Sequence, residues 1–278
     1  MTKATTSGHG RGAIALVGFG AMGEQLYNLL REHGVADWVT TVIEHPDRLE
    51  AARAKLPVSV SVVGELDEKL AAGTALLVEC AGHAALRKHA APALRAGIDV
   101  LVASVGALAD AQIESDLRQA AASAGSRVLI PSGALGGLDA LASARYAGLE
   151  EVVYISNKGP SAWRGTKAEQ MVDLDAVREP TVFLTCNARE AALQFPQNAN
   201  VAAAVALAGI GFEKTQVRLT VDPNAKGNRH RIMAKGQFGM IDVTVEGRTL
   251  PSNPKTSMLA PMSLLKSILN RQQALVLA

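Results

Sequence analysis

The feature that most constrains the fold is an alternation of short apolar runs with helical patterns over residues 13–130. The runs are strand candidates, and their almost continuous hydrophobicity is typical of parallel strands that are buried on both faces. The alternation predicts an α/β domain in which helices cover both faces of a parallel sheet. The strand candidates are residues 13–20, 39–44, 75–82, 99–108 and 127–135.

The pattern changes after about residue 135, where several strand candidates alternate polar and apolar residues. The last three candidates follow one another with only short turns, which predicts that they are antiparallel neighbours. One helix is expected at roughly Val201–Gly211. This half of the chain is therefore expected to form a second, smaller α+β domain. Its strand candidates are residues 152–156, 181–186, 216–221, 230–236 and 240–247.

Three glycines follow the first strand candidate with the spacing Gly18-x-Gly20-x-x-Gly23, and a helical pattern begins there. In a dinucleotide-binding turn the first glycine permits the tight turn, the second lets the backbone approach a pyrophosphate, and the third lets the helix pack on the strand. The N-terminus of the helix offers unpaired backbone N–H groups and a partial positive charge to the phosphates. A purely structural strand-to-helix turn is the alternative.

An acidic residue supports the dinucleotide interpretation. Glu44 ends the second strand candidate, 21 residues after Gly23. A carboxylate at that place accepts hydrogen bonds from ribose hydroxyls, which favours NAD. His45 and Arg48 are close in the sequence, so the 2′-phosphate of NADP is also compatible. The pattern predicts an N-terminal Rossmann domain that binds NAD.

These patterns predict the domain boundaries. Residues 1–12 are small and polar and are expected to be a flexible tail. Residues 13–135 would form the Rossmann domain, and residues 136–254 the second domain, which would bind the substrate. The segment of about 255–278 is again helical, and its apolar face is expected to return to the first domain.

Composition excludes several classes of function. The net charge of +2 comes without a basic cluster, and aromatic residues make up 4%, so neither nucleic-acid binding nor an anionic membrane surface is supported. The longest strongly apolar run is too short for a membrane span, and no signal-peptide pattern opens the chain. The two cysteines lack metal-ligand spacing and suit a reducing compartment. A cytoplasmic protein without a metal site is expected.

The carboxyl ends of three strand candidates are rich in glycine, alanine and serine: residues 79–83, 103–108 and 131–141. Ligands bind outside this edge in open α/β sheets, and small residues let a flat nicotinamide approach the backbone. Ordinary βα turns also favour glycine, but the PSGALGGLDAL segment contains more small residues than a turn needs. We therefore expect this segment to contact a ligand.

His230 stands out among the six histidines. It begins a strand candidate and shares its face with Ile232 and Ala234, whereas Arg229 and Arg231 point to the other face. An imidazole on the buried face could exchange protons near neutral pH. A core histidine bonded to the backbone is the alternative, and the residues alone do not decide between them.

Polar residues in two further segments are candidates for ligand contacts. Asn198 and Asn200 precede the alanine-rich helix, where one suffices as an N-cap and the other is free to reach a ligand. Lys158, Arg164 and Lys167 lie in one polar segment and could bind substrate carboxylates. Solvated surface charge is the alternative for each of the three cations.

Six motifs together resemble the L-aspartate dehydrogenase family over nearly the whole chain after the tail. The combination of the asparagine-rich helix start, the N-x-H-x-I strand and the closing N-P-K-T-S segment is specific. The motifs are GFGAMG, PSGALGGLDAL, KGPSAWRGT, FPQNANVAAAVALAG, DPNAKGNRHRI and LPSNPKTSMLAPMSLLKS.

The resemblance implies that His230 is the active-site residue and that Ala134 and Asn200 contact NAD. It also implies a homodimer, with the dimer contacts in the second domain, and the use of NAD or NADP. The implied reaction interconverts L-aspartate with oxaloacetate and ammonia through iminoaspartate, and is linked to NAD biosynthesis. No substrate-carboxylate residue is matched, so the three cations remain candidates only.

Two other functions stay open at this point. One is a related Rossmann dehydrogenase, similar to homoserine dehydrogenase or dihydrodipicolinate reductase. The other is a non-catalytic protein that senses NAD, in which His230 would be dispensable. The direction of the reaction under physiological conditions does not follow from the residues.

Overall fold

The computed structural model describes residues 12–196, 200–250 and 253–276, with the backbone only at residues 253–255. All but the last residue of the predicted tail, and also Asn198, lie outside the described residues.

A six-stranded parallel sheet forms the N-terminal part of the chain. Its strands have the order β3-β2-β1-β4-β5-β6, so the order reverses between β1 and β4. The prediction of a parallel sheet is confirmed. The strands are β1 (Ala13–Val17), β2 (Val39–Ile43), β3 (Ser61–Val63), β4 (Thr74–Glu79), β5 (Asp99–Val102) and β6 (Val128–Leu129).

The strand β3 was not expected from the sequence. It is three residues long, and only its central residue, Val62, is buried, so no alternating pattern distinguishes it. The helices that accompany this sheet begin after the strand ends. They are α1 (Ala21–Glu32), α2 (Leu49–Arg53), α3 (Glu68–Gly73), α4 (His83–Arg95) and α5 (Ala111–Ala124).

A five-stranded mixed sheet forms the second half, in the order β11-β10-β7-β9-β8. The prediction that the last three strands are antiparallel neighbours is only half right. β10 and β11 do pair antiparallel, but β7 lies between β10 and β9 and runs parallel to β9. The strands are β7 (Leu149–Lys158), β8 (Thr181–Asn187), β9 (Gln216–Val221), β10 (Asn228–Gly236) and β11 (Gly239–Gly247).

Helices pack on one face of the second sheet, and the chain ends in a short hairpin and a helix. Helix α9 contributes five consecutive buried residues, Ala202–Ala206, and its small side chains let it lie against the 3₁₀ turn Val105–Ala109 after β5. The remaining elements are α6 (Leu138–Ala144), α7 (Pro160–Trp163), α8 (Ala188–Gln194), α9 (Asn200–Ala208), β12 (Thr249–Leu250), β13 (Asn253–Ser257) and α10 (Leu259–Asn270).

The helix α10 packs on the first sheet's side of the molecule. Leu264 and Ile268 are buried in the same apolar cluster as Leu26 and Leu30 of α1. Arg271, directly after α10, donates a hydrogen bond to Asp99 at 2.7 Å. The Rossmann-like N-terminal domain followed by an α+β domain is therefore the observed architecture, and α10 brings the chain back to the first sheet.

Candidate active site between the two sheets

The glycine turn between β1 and α1 is shaped by close backbone packing. Gly18 has φ +88°, and its N–H donates to the Ile43 carbonyl at 2.8 Å. A Cβ on Gly23 would lie 2.0 Å from the Gly18 carbonyl oxygen, which leaves no room for any side chain. The first and third glycines are therefore required by the turn itself.

Gly20 differs, because the space beside it is open. The nearest atoms to a Cβ at this position would be the two terminal nitrogens of Arg48, at 3.8 Å. Gly20 also precedes the first turn of α1, and within the described chain no side chain caps this helix. Uncapped N–H groups at the end of a twelve-residue helix attract phosphate. This turn fits the pyrophosphate of a dinucleotide.

Glu44 supports the glycine turn directly. Its carboxylate accepts hydrogen bonds from the backbone N–H groups of Phe19, at 2.6 Å, and His45, at 2.8 Å. The residue is 9% exposed, so the carboxylate is held at the carboxyl end of β2 beside the turn. A carboxylate has about four lone-pair sites, so both oxygens can still accept a ribose hydroxyl.

A cavity of about 110 Å³ lies where the two sheets meet. Met22 and Ala134 line it from the N-terminal sheet's side, and Asn200 and His230 line it from the second half. The fold thus brings three predicted site residues, Ala134, Asn200 and His230, to one cavity beside the start of α1. Its other lining residues include Ala103, Val105, Ser132, Gly133, Lys158, Asn228, Thr256, Ser257 and Ser263.

His230 is 2% exposed on the inner face of β10, as its parity with Ile232 predicted. Its Nδ1 lies 2.7 Å from the hydroxyl oxygen of Tyr154 on β7. Burial, and to a lesser extent the nearby charge of Lys158, lower the pKa of His230 to about 3. The imidazole is therefore neutral near neutral pH and has one N–H donor and one acceptor.

The hydroxyl group of Tyr154 also stays protonated near neutral pH. The side chain is fully buried, and this burial raises the pKa of its hydroxyl well above the usual value. Because the phenol does not ionise, its O–H is a permanent hydrogen-bond group beside His230. The sequence did not point to Tyr154, since the register of β7 against β10 is what brings the two rings together.

Lys158 is the cation among the described residues that line this cavity. It ends β7, is 3% exposed, and its Nζ lies 5.4 Å from the centre of the Trp163 ring. Burial lowers the pKa of its ammonium group to about 8. A lysine with such a pKa exists in both protonation states at mildly alkaline pH.

The other two predicted cations do not line the cavity. Arg164 is exposed and pairs with Asp175, and Lys167 lies on the surface in a 3₁₀ turn. The chain turns outward after the buried Trp163, which carries this loop away from the site. Of the three candidates for carboxylate binding, only Lys158 is in a position to meet a ligand in the cavity.

Asn200 and Ala134 connect the cavity to the strand ends of the first sheet. The side-chain oxygen of Asn200 accepts a hydrogen bond from the Gly106 N–H at 2.9 Å, so it bridges from α9 to the turn after β5. Ala134 is 5% exposed in the segment between β6 and α6. Nearby, the Gly133 N–H donates to the Ser263 hydroxyl at 3.1 Å, which ties this segment to α10.

Glu79 is a buried carboxylate that sequence reasoning missed. It ends β4 with no exposed surface, and burial raises the pKa of its carboxyl group. It accepts hydrogen bonds from the backbone N–H groups of Ala81, Gly82 and Ser104 at 2.7 to 3.0 Å. The signal that could have identified Glu79 from the sequence is an acidic residue within an otherwise apolar strand candidate. Its carboxylate joins the turns after β4 and β5.

The burial of neutral His230 predicts a pH dependence of stability. The folded-state pKa is about 3 against an ordinary value of 6.5, so below about 6.5 the unfolded chain binds a proton that the folded chain does not. The free energy of unfolding should fall as the pH decreases through this window, by up to about 1.4 kcal/mol per pH unit. Urea unfolding at several pH values measures it.

One variant isolates this contribution. His230→Asn should lose the part of the pH slope that comes from the imidazole. Equal slopes in wild type and His230→Asn would show that the imidazole titrates alike in the folded and unfolded chains.

Two absences hold for the described residues. No cluster of histidine, cysteine and acidic side chains suitable for a metal ion occurs among them. None of the helices between residues 12 and 276 that the structure describes combines the length and the apolar character that a bilayer crossing requires.

Two family models match the chain. The model described as "Aspartate dehydrogenase, C-terminal" matches residues 139–271, and "Homoserine dehydrogenase, NAD binding domain" matches residues 18–131. The second match covers the Rossmann-like part, which many dehydrogenases share. The first covers the half that contains Lys158, Asn200 and His230. The match to the homoserine dehydrogenase model therefore identifies an NAD(P)-binding domain.

Comparisons over the whole chain agree with the aspartate dehydrogenase model that matches residues 139–271. The L-aspartate dehydrogenase of Ralstonia pickettii is 46% identical over 263 residues, which are 94% of this chain and 98% of the relative. The L-aspartate dehydrogenase of Acinetobacter baumannii is 40% identical over 264 residues, with the same coverage of both chains. Such identity over full length indicates common ancestry of both domains.

Solved structures confirm the fold. The crystal structure of aspartate dehydrogenase from Thermotoga maritima matches with a TM-score of 0.75 at 23% identity, over 96% of this chain and 99% of that one. A hyperthermophilic archaeal homoserine dehydrogenase in complex with NADPH matches with a TM-score of 0.54 at 13% identity, over 93% and 97% of the two chains. From its relatives and from the family model over its second half, this chain is a member of the L-aspartate dehydrogenase family of NAD(P)-dependent oxidoreductases.

Proposed function

We propose that this chain catalyses the oxidative deamination of L-aspartate to iminoaspartate, which water converts to oxaloacetate and ammonia, and also the reverse amination. The observation that carries the proposal is one cavity lined by buried His230, by Ala134 and by Met22 of the first turn of α1. Such a cavity holds a small substrate between a cofactor domain and a proton-handling side chain. The names of the full-length relatives supply the substrate.

The cofactor is assigned to the glycine turn and the cavity wall. Gly18, Gly20 and Gly23 would hold the pyrophosphate at the N-terminus of α1, and Glu44 the adenosine ribose. Ala134 and Asn200 would contact the nicotinamide end. When bound, the nicotinamide would supply the hydride acceptor for the Cα–H bond of the substrate. The chain's own residues orient that carbon and handle the protons.

His230 is proposed as the catalytic residue that acts on oxygen. In the tautomer in which the Tyr154 hydroxyl donates to Nδ1, the single ring proton is on Nε2. That N–H would donate to the oxygen of the carbinolamine. In the other tautomer, Nε2 would instead accept a hydrogen bond from the water that attacks the imine. Because the imidazole stays neutral, it serves as a hydrogen-bond donor that does not add a charge to the buried cavity.

NAD is proposed as the preferred cofactor, with NADP also accepted. Glu44 is placed to accept the two ribose hydroxyls of NAD, and its negative charge opposes a 2′-phosphate. The Arg48 guanidinium lies against the same turn and could offset that charge. Comparison of kcat/KM with NAD and NADP tests this balance.

The direct test is oxidation of NADH by oxaloacetate with and without ammonium. The proposal requires ammonium-dependent oxidation and reduction of NAD by L-aspartate. Activity on aspartate semialdehyde instead would favour the enzyme similar to homoserine dehydrogenase. NADH binding with no turnover of any amino or keto acid would favour the protein that senses NAD.

A homodimer and a cytoplasmic location, with a role in NAD biosynthesis, complete the proposal. The outer face of the second sheet supports the dimer, because Val182 is 51% and Met240 is 64% exposed there, on the face opposite His230. The unpaired cysteines Cys80 and Cys186 suit a reducing compartment. Analytical ultracentrifugation tests the dimer.

A further inference from the structure

We propose that Lys158 is a catalytic proton acceptor, which takes a proton from the α-ammonium group of L-aspartate during deamination and returns it during amination. The inference rests on the proposed function, because it assigns a role within that reaction. It goes beyond the family resemblance, because the resemblance points to His230 alone. It assigns proton transfer at the substrate nitrogen to Lys158 and hydrogen bonding at oxygen to His230.

The position of Lys158 makes the role possible. It ends β7, next to the strand β10 on which His230 lies, and both side chains line the same cavity. Lys158 is 3% exposed, so its Nζ meets a ligand without competition from bulk water. The charge of Lys158 lowers the pKa of His230, in keeping with the cavity that the two side chains share.

The reaction itself requires a base. A hydride leaves Cα only when the nitrogen lone pair is available to form the C=N bond, and the α-amino group of L-aspartate is an ammonium near neutral pH. In the proposed step, one N–H bond of this ammonium breaks and one N–H bond forms on the uncharged Lys158 amine. No electrons are transferred in this step. The substrate becomes a free amine, from which Cα–H can leave as hydride.

His230 is poorly suited to this task. With a pKa of about 3 it does not retain a proton that it takes near neutral pH, whereas Lys158, with a pKa of about 8, releases and regains one at mildly alkaline pH. Tyr154 stays protonated behind His230. Lys158 is therefore the group whose proton affinity matches an amine substrate.

Among the described residues that line the cavity, Lys158 is the only lysine, arginine or carboxylate. Asp222, which follows β9, uses its carboxylate to accept from the Asn157 amide and the Asn224 N–H. The described residues that face the cavity from α9, from α10 and from the segment before α6 are uncharged, among them Asn200, Ser263 and Ser132. Trp163 presents its ring. Burial is the cause of the lowered pKa of its ammonium group.

A different role for the same residue makes the opposite prediction. An ammonium that anchors a substrate carboxylate must be protonated, so kcat/KM would fall as the pH rises through about 8. A proton acceptor must be uncharged before it acts, so kcat/KM for deamination would rise over the same range. The sign of the pH limb therefore separates the two roles.

The experiment measures deamination of L-aspartate with NAD from about pH 6 to about pH 10 in wild type, Lys158→Met and Lys158→Arg. Wild type should show a rising limb near pH 8. Both variants should lose about 10²-fold or more in kcat, with a smaller change in KM, and should lose that limb. Arginine keeps the charge but does not release its proton, so only an anchoring role would tolerate it.

The test includes a control variant, controls for cofactor binding and folding, and a chemical rescue. Lys167→Met, an exposed lysine of the same segment, should retain wild-type kinetics. NADH fluorescence should be unchanged in Lys158→Met, and thermal unfolding should show a folded protein that is no less stable than wild type, because methionine removes the cost of burying a charge. In Lys158→Ala, ethylamine should restore part of kcat, with rescue that increases with pH.

Three results would overturn the inference while leaving the proposed function intact: a wild-type pH limb that persists in Lys158→Met, an active Lys158→Arg, or a rise in KM larger than the fall in kcat. If Lys158→Met does not fold, the arginine and alanine variants give the same decision. A wild-type chain that does not reduce NAD with L-aspartate would instead refute the proposed function itself.

Discussion

His230→Ala is expected to bind NADH with wild-type affinity and to lose about 10²- to 10⁴-fold in kcat for both directions of the reaction. The reason is that the imidazole lines the cavity together with Ala134, while the predicted pyrophosphate site lies at the glycine turn. Fluorescence titration and steady-state kinetics of the same preparation measure the two effects. Near-normal turnover would remove His230 from the mechanism.

Tyr154→Phe is the matched control for this variant. It keeps the buried ring and deletes the hydroxyl that lies 2.7 Å from Nδ1 of His230. If the hydroxyl fixes the tautomer, kcat should fall by about tenfold, less than in His230→Ala, and NADH affinity should not change. An effect equal to that of His230→Ala would mean that orientation of the ring accounts for its whole contribution.

Gly20→Ala is expected to fold normally and to lose at least about tenfold in NADH affinity. A Cβ there meets no protein atom closer than 3.8 Å, but it occupies the space through which the backbone would approach a pyrophosphate. Gly20 has extended backbone angles that alanine adopts without strain. Fluorescence titration with NADH and thermal unfolding measure affinity and stability separately.

Gly23→Ala should behave differently, which makes it the contrasting variant. Its Cβ would lie 2.0 Å from a backbone oxygen, so the turn must open and stability should fall by at least about 2 kcal/mol. Gly64→Ala, where a Cβ meets no atom within 4 Å, is the control and should change neither property. Wild-type NADH affinity in Gly20→Ala would contradict the assignment of the pyrophosphate site.

Local patterns in the chain predicted most of the first sheet, because buried parallel strands are apolar runs that stand out against helical spacing. They also predicted that His230 faces the core, since side chains alternate strictly along a strand. The patterns did not predict β3, because a three-residue strand with one buried side chain shows no alternation of polar and apolar residues. The place of β9 was predicted wrongly, because strand order depends on pairing with β7, which lies more than fifty residues earlier in the chain.

In the candidate site, too, some residues were predicted from short motifs and others depend on the fold. The residues themselves indicated the glycine turn, Glu44 and His230, because each is a short-range motif or a charge in an unusual place. They could not show that Tyr154 bonds to His230, or that Lys158 enters the cavity while Arg164 and Lys167 remain outside. Those facts depend on strand register and on the direction in which one loop leaves the sheet.

Residue patterns alone are enough to predict an N-terminal Rossmann-like domain with a dinucleotide turn and a second α+β domain that carries a buried histidine. Which side chains share the cavity, and in what state of protonation, follows from the packing of the two halves. The physical reason is that periodicity and turn chemistry act over a few residues, whereas burial of Lys158 and His230, and with it their pKa values, depends on the packing of β7, β10, α9 and α10 around one small space.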